Sequence, residues 1–363
     1  MDEKKIKIGC VGLGPRGADL FYNRLCAVEG TEPVAVCDLD AKKVENCIKE
    51  LEKRGHMNVK SFTDFAEFLK SDVEAVLVAT DVTTHATLAA QAMDAGKHVL
   101  CEIPNIRSVE EGKMLAEAVR RNPGKFMVAE NCCYWAHINA WKQMYEEGLL
   151  GDVVYAESDY LHPAKEIWHP EVKREKTWRS YMPAIHYLTH NLGPILYILN
   201  DTVAEVSGFI PDINPIEEAH PAPPNGVAMV KTKKGTVIKI FIGFGVCTVE
   251  GSCHNFGLYG SKGCVQTARG NTSNQGKTMA SFKHTPYLKG YVDIPVYPDY
   301  PGKSSDGHSG ADFIMMEDFI RCIREDKEPA LGIDFGLSIA LPGILADISS
   351  REHGKTMQMP DFA

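Results

Sequence analysis

No apolar run in the 363 residues approaches the length of a membrane span, and no leader-like apolar core precedes the first charged strand, MDEKKIKIGCVG. Neither a membrane anchor nor a secretory signal is expected. Positive charge is also in short supply: 39 Lys and Arg stand against 48 Asp and Glu, a formal charge of −9. That balance argues against a nucleic-acid surface and against steering toward anionic membranes. The eleven cysteines contain no C-x-x-C pair, and only Cys132 and Cys133 are adjacent. Such a scattered, odd-numbered set suggests neither a zinc knuckle nor a disulfide framework, and a reduced cytoplasm is the expected compartment. Low-complexity tracts and internal repeats are lacking too. What is present, 44% hydrophobic residues over a length too great for one ordinary core, describes a soluble globular enzyme of two domains.

The first third alternates short apolar runs with amphipathic stretches. KIKIGCVG, PVAVCD, EAVLVAT, HVLCE and KFMVAEN are brief, β-branched and nearly continuous, as buried parallel strands are. Helical patterns over 17–29, 41–54, 85–96 and 108–121 separate them, which predicts a doubly wound α/β sheet. After residue 131 the rhythm changes. A helix over 138–147 leads into the alternating strand GDVVYAESDYLHP. Further alternating runs (AEVSGFI, VAMVKT, TVIKIFIGF, HNFGLYG, CVQTA), with Lys234-Gly235 and Lys262-Gly263 as turns, predict a largely antiparallel sheet. The polar, proline-rich 211–225 reads as a surface loop, and the chain turns helical again from Asp312. The expected fold class is α/β: a Rossmann domain over 1–131, then an α+β domain over 132–363 with a large open sheet.

GLGPRG is a G-x-G-x-x-G set directly after a strand and opening a helix. Gly12 permits the tight turn, Gly14 lets backbone approach a pyrophosphate, and Gly17 allows close helix–strand packing. With Pro15 and Arg16 they form a loop whose helix N-terminus favours anions. Asp38 follows about twenty residues later, where an acid bonds the adenosine ribose and repels a 2′-phosphate. NAD is therefore the expected cofactor, ahead of NADP.

AIHYLTHNLGP, residues 184–194, raises a separate question. On a helix, His186 and His190 would share one face, with Tyr187 between them. Metal binding, proton transfer and core packing all use such pairs. The helical zinc motif places a glutamate after its first histidine, where this chain has Tyr187, and no third ligand is specified, so no metal is expected.

Over nearly its whole length the chain resembles the glucose–fructose oxidoreductase and inositol dehydrogenase family, Gfo/Idh/MocA. GLGPRG, VCDLD, VATDVTTH (78–85), AGKHVLCEIP (95–104) and AEN (129–131) carry the resemblance. It implies NAD(P) at the domain cleft and homo-oligomers built through the open sheet. It also implies that Thr80 and His85 line the cofactor, that Glu102 approaches the nicotinamide ribose, and that Asn131 lies near the nicotinamide. Most dehydrogenases of the family carry Glu-Lys-Pro, whose lysine takes part in proton transfer. Here the triplet is Glu102-Ile103-Pro104, and isoleucine cannot carry a proton. His186 also stands where the family's usual aspartate would be.

A branch of the same family, the NAD-dependent glycosidases of the α-N-acetylgalactosaminidase type, shares an apolar residue in that triplet. Its Tyr-Pro-Thr-His-x-Leu-Gly-Pro segment is similar to residues 187–194, with Leu188 in place of proline. Echoes recur at 130–134, at Tyr160 to His162, at Trp178 and Arg179, and over 307–312. Enzymes of that branch cleave glycosides without the usual two carboxylates. A sugar hydroxyl, expected at C3, is oxidised by bound NAD. A base then removes the acidified C2 hydrogen, the C1 group is eliminated, water adds to the enone, and hydride is returned. The resemblance makes Tyr187 and His190 the proton-transfer pair, with His186 orienting or supplementing them. Trp178 and Arg179 become candidates for the cofactor's carboxamide end or for sugar hydroxyls. Tyr160, His162 and His308 become candidates for the sugar. Two other readings stay open: an NAD-dependent sugar or cyclitol dehydrogenase, and a non-catalytic NAD-holding protein. The loops between motifs differ in length, so the branch's sugar specificity is not carried over.

Overall fold

The computed structural model describes residues 4–162, 178–218, 220–247, 253–268, 277–283, 290–293 and 310–362. It divides into two compact units. The first gathers Met1–Asn131, Asp299–Leu337 and Phe362, and the second Cys132–Pro298, Ser338–Asp361 and Ala363. The expected assignment of everything after residue 131 to the second domain is therefore corrected: 299–337 returns to the first unit. Paired chemistry draws it back. Leu331 O accepts from Val128 N at 2.8 Å, and Lys125 pairs with Asp326 and Glu328.

In the first unit, β1 (Ile6–Val11), β2 (Thr31–Cys37), β3 (Lys60–Phe62), β4 (Ala75–Val78), β5 (His98–Cys101) and β6 (Phe126–Val128) form one sheet in the order β3-β2-β1-β4-β5-β6. Every pairing is parallel. The near-continuous apolar runs follow from burial on both faces, and all four residues of β4 are buried. Order reverses at β1, flanked by β2 and β4, so ligands are expected beyond the carboxyl end of β1, where the glycine loop begins.

Helix starts follow their capping residues. Asp40, Asp81 and Ser108 each accept a backbone N–H of the helix they open: Ala41–Lys53, Val82–Asp94 and Val109–Arg121. The helix expected over 17–29 is instead an α-turn at Pro15–Asp19, a π-turn at Leu20–Arg24 and a 3-10 turn at Leu25–Ala27. The widened turn brings Leu20, Phe21, Arg24 and Leu25 all into the interior.

In the second unit, β7 (Val153–Leu161), β8 (Val203–Phe209), β9 (Asn225–Thr232), β10 (Val237–Gly243), β11 (His254–Gly260), β12 (Gly263–Thr267), β13 (Lys277–Phe282), β14 (Gly290–Asp293) and β15 (Met357–Gln358) form a second sheet. The order is β14-β13-β12-β11-β7-β10-β9-β8-β15, antiparallel except where β7 meets β10. Strand alternation sorts its two faces. Ala156, Ser158, Ile238, Ile240 and Val230 are buried on one, while Phe209 and Met229 on the other are 53% and 38% exposed. Asn191, in the helix Thr189–Leu199, donates to Ser158 Oγ at 2.6 Å and seats that helix on the buried face.

The expectation of no span-length apolar run is corrected. The helix Ile333–Arg351 is long and apolar enough to cross a membrane, but 78% of its most apolar window is buried inside the protein. It is a core helix, apolar because it is covered, and it touches β8 where Gly208 leaves no room for a side chain: a Cβ there would stand 2.1 Å from Ala346 O.

Candidate active site

The glycine loop has the geometry a dinucleotide needs. Gly12 has φ +92°, and a Cβ on it would stand 2.5 Å from the Ala79 carbonyl. A Cβ on Gly17 would stand 2.1 Å from Gly12 O, whereas one on Gly14 would meet nothing within 4 Å. The space opposite Gly14 is the cradle that a pyrophosphate would fill, at the N-terminus opened by Pro15. Asp38 braces the loop by accepting from Leu13 N at 2.7 Å and from Asp40 N at 2.9 Å. Each of its oxygens keeps a second lone-pair direction for a ribose hydroxyl. These residues fit NAD.

Arg16 is tied back within the same unit. Its guanidinium makes a bidentate pair with Asp312 at 2.7 and 2.8 Å, and its Nε reaches Glu102 at 3.2 Å. Asp312 is fully buried and also accepts from Asn131 Nδ2 at 2.9 Å. One carboxylate thus joins the glycine loop to the residue expected near the nicotinamide. Asp312 belongs to a quoted motif but had no assigned role, because its partners lie far away in sequence. Thr80 Oγ1 is 2.8 Å from Thr84 Oγ1 at the end of β4. His85 is buried, with its ring nitrogens against Pro104 O (2.9 Å) and Thr80 O (3.1 Å), and burial lowers its basicity. It braces the loops around the Glu102-Ile103-Pro104 triplet.

The second unit gathers an aromatic cluster. Alternation along β7 puts Tyr160 on the buried face with Ala156 and Ser158. His254 of β11 is its direct cross-strand partner, and the rings stack at 4.2 Å. Around them stand His162 at 5.6 Å, Phe244 at 5.3 Å, His190 at 5.6 Å and Tyr187 at 6.3 Å from Tyr160. Burial pushes the Tyr160 phenol well up, so it stays protonated. Tyr187 and His190 face edge-on at 5.4 Å. Trp178 stacks on Tyr187 at 6.4 Å, and Arg179 lies 4.8 Å over Trp178 and 5.8 Å over Tyr187. Cys132 Sγ lies 3.2 Å from His190 Nδ1.

The histidine pair does not lie on one continuous helix. Ala184–Tyr187 is a 3-10 turn, and an α-helix starts only at Thr189. His186 therefore points away to Asp347 (Nε2 to Oδ2 3.3 Å) while His190 meets Cys132 and the aromatic cluster. Trp178 and Arg179 sit with Tyr187, Tyr160 and His162 in the second unit, and His308 lies outside the described residues. His254, Phe244 and Asp347 were not foreseen. His254 pairs with Tyr160 only through sheet register across some ninety residues, which no local signal carries.

An NAD-binding Rossmann-fold oxidoreductase family model matches residues 6–130, and a GFO/IDH/MocA C-terminal domain model matches 138–266. The chain belongs to the Gfo/Idh/MocA oxidoreductase family. A glycosyl hydrolase 109 C-terminal domain model matches residues 227–363 of this Gfo/Idh/MocA chain. A glycosyl hydrolase family 109 protein of Solibacter usitatus is 26% identical, over 98% of this chain and 88% of its own length. An alpha-N-acetylgalactosaminidase of Shewanella oneidensis is 24% identical, over 98% and 85%. Among solved structures, a levoglucosan dehydrogenase in complex with NADH and L-sorbose superposes with a TM-score of 0.82 at 19% identity, over 99% of this chain and 100% of that one. Scyllo-inositol dehydrogenase of Lactobacillus casei, with NAD(H) and scyllo-inositol, gives 0.78 at 18%, over 98% and 99%. This Gfo/Idh/MocA protein is an enzyme with an NAD-binding Rossmann domain.

Proposed function

We propose that this enzyme hydrolyses glycosides by transient oxidation of the sugar at C3, elimination across C2 and C1, addition of water, and re-reduction. The observation that carries this reading is the Tyr187–His190 pair, 5.4 Å apart between Tyr160, Trp178 and His254, together with Ile103 in the usual place of lysine. A simple dehydrogenase needs one proton acceptor at the oxidised hydroxyl. Elimination needs a second group to take the C2 proton, and the cluster offers two.

Bound NAD would supply the hydride acceptor for the first step and the donor for the last, leaving no net redox change. Gly12, Gly14, Pro15, Gly17 and Asp38 would hold it, with Arg16 and Asn131 kept in place by Asp312 and Glu102 by Arg16. Tyr187 and His190 would move the protons at the C3 oxygen and at C2. Trp178 and Tyr160 would give the sugar apolar walls, and Arg179 and His162 would bind hydroxyls.

The test is to incubate purified protein with a panel of aryl and natural glycosides in deuterated buffer. Aglycone release without NADH accumulation, with deuterium at C2 of the freed sugar, is the expected result. NADH formed in proportion to free sugar, with no glycoside cleaved, would replace this reading with a net sugar or cyclitol dehydrogenase.

The open face of the second sheet is the surface for self-association. Phe209, Met229 and Phe241 stand on it around Lys239 and Glu157, themselves paired at 2.9 Å. The eleven scattered cysteines suit a reducing cytoplasm.

A further inference from the structure

The turn that delivers Tyr187 is short. Ala184–Tyr187 is a single 3-10 turn, held by His186 N to Pro183 O at 3.0 Å and Leu188 N to Ile185 O at 3.3 Å. Such turns have poorer hydrogen-bond geometry than an α-helix and occur in short pieces. A helix backs this one directly. Gly343 and Asp347 are four residues apart on the helix Ile333–Arg351 and so share a face. A Cβ on Gly343 would stand 2.6 Å from Ile185 O and 3.0 Å from the Cα of His186, so glycine permits helix and turn to touch backbone to backbone. One turn on, Asp347 Oδ2 lies 3.3 Å from His186 Nε2 and accepts from Arg351 Nη2 at 2.6 Å. The Asp347 side chain is only 7% exposed, and a carboxylate that deep is costly unless it is paired and hydrogen-bonded, as it is here by Arg351 and His186.

We propose that Asp347 is a positioning residue for Tyr187. By clamping His186 against the helix face begun by Gly343, it holds the adjacent phenol in register with Trp178, Tyr160 and His190. His186 is then a hook in the support of the site, not a third proton carrier. The kinetic consequences rest on the glycosidase reading above; the structural one does not.

Two readouts on the full-length holoenzyme separate these. Amide hydrogen exchange at His186 and Leu188 should speed at least tenfold in Asp347→Ala, with β10 unchanged. On a glycoside that the wild type cleaves, Asp347→Ala should lower kcat about 10–100-fold with KM within about threefold, as a misplaced catalytic group does. In a Tyr187→Phe background the same change should cost less than about twofold more, because the positioned phenol is already gone. Unchanged exchange at His186 and Leu188, or a full additional loss in the Tyr187→Phe background, overturns the proposal. If no glycoside is cleaved, the functional reading fails while the exchange result still decides this one. Should Asp347→Ala not fold, His186→Gln, which keeps a donor for Asp347, should retain at least tenfold more activity and slower exchange than His186→Leu. Equal values for the two variants would sink the idea.

Discussion

Replacing Asp38 with alanine should overturn the cofactor preference, and the geometry sets the scale. Asp38 already accepts from Leu13 N and Asp40 N at 2.7 and 2.9 Å, which leaves one direction on each oxygen for the ribose hydroxyls of adenosine. Hydrogen bonds to a charged acceptor contribute about 1.5–3 kcal/mol, so NAD affinity should fall about 10–100-fold. The same deletion removes a negative charge from where a 2′-phosphate would lie. At ~4 Å and an effective dielectric near ~20, one pair of unit charges repels by about 4 kcal/mol, and salt screens part of it. Lys43, whose Nζ is 3.9 Å from Asp38, is left to meet the phosphate. NADP affinity should rise about tenfold or more, moving the NAD-to-NADP ratio by roughly 10²–10³. Titration calorimetry of cofactor-stripped protein with each dinucleotide measures both numbers. Leu13 N also loses its acceptor, at about 1–3 kcal/mol, so circular dichroism should first establish that the variant is folded at the assay temperature. A folded variant that binds NAD within twofold of wild type and still rejects NADP would refute the placement of the ribose at Asp38.

Tyr187→Phe and His190→Ala should each lower kcat by about 10²–10⁴ while leaving NAD affinity within about twofold; full activity in both would remove them from the chemistry. His137 gives a pH prediction. It stacks on Trp135 at 5.5 Å, lies edge-on to Trp141 at 5.8 Å, and burial pushes its imidazolium down to about 4. The unfolded chain takes up a proton near pH ~6.5 that the folded chain refuses until about 4, so stability is full above that window and falls as pH drops through it. The loss is roughly 3 kcal/mol, and buried His85 and His220 and half-buried His98 shift in the same direction. His137→Phe should flatten the dependence of urea unfolding on pH between ~6.5 and ~4, and an unaltered curve would contradict it. On the open sheet face, Phe241→Glu should convert an oligomer to monomer in light scattering, with Tm falling by no more than a few degrees. Wild-type protein that is monomeric at high concentration would end that reading.

The sequence by itself determined the first sheet and its loop. Parallel strands covered on both faces write themselves as continuous apolar runs, and a glycine loop is a local solution to a local turn, so Gly12, Gly14, Gly17 and Asp38 could be read within one strand–turn–helix unit. It also showed the vacancy at Ile103 and, through a resemblance, the pair Tyr187 and His190. Contacts between distant segments were decided only in three dimensions. Asp312 reaches Arg16 across some three hundred residues, drawing a late helix into the first unit. His254 meets Tyr160 because β11 pairs with β7 in one register, and a shift of one residue would turn the ring to the other face. The pair His186 and His190 shows the difference most plainly. Four-residue spacing puts two side chains on one face only if the helix is continuous, and here the backbone changes from a 3-10 turn to an α-helix at Leu188. His190 therefore turns to the aromatic cluster and His186 to Asp347, a partner the sequence could not bring near because it lies on another helix.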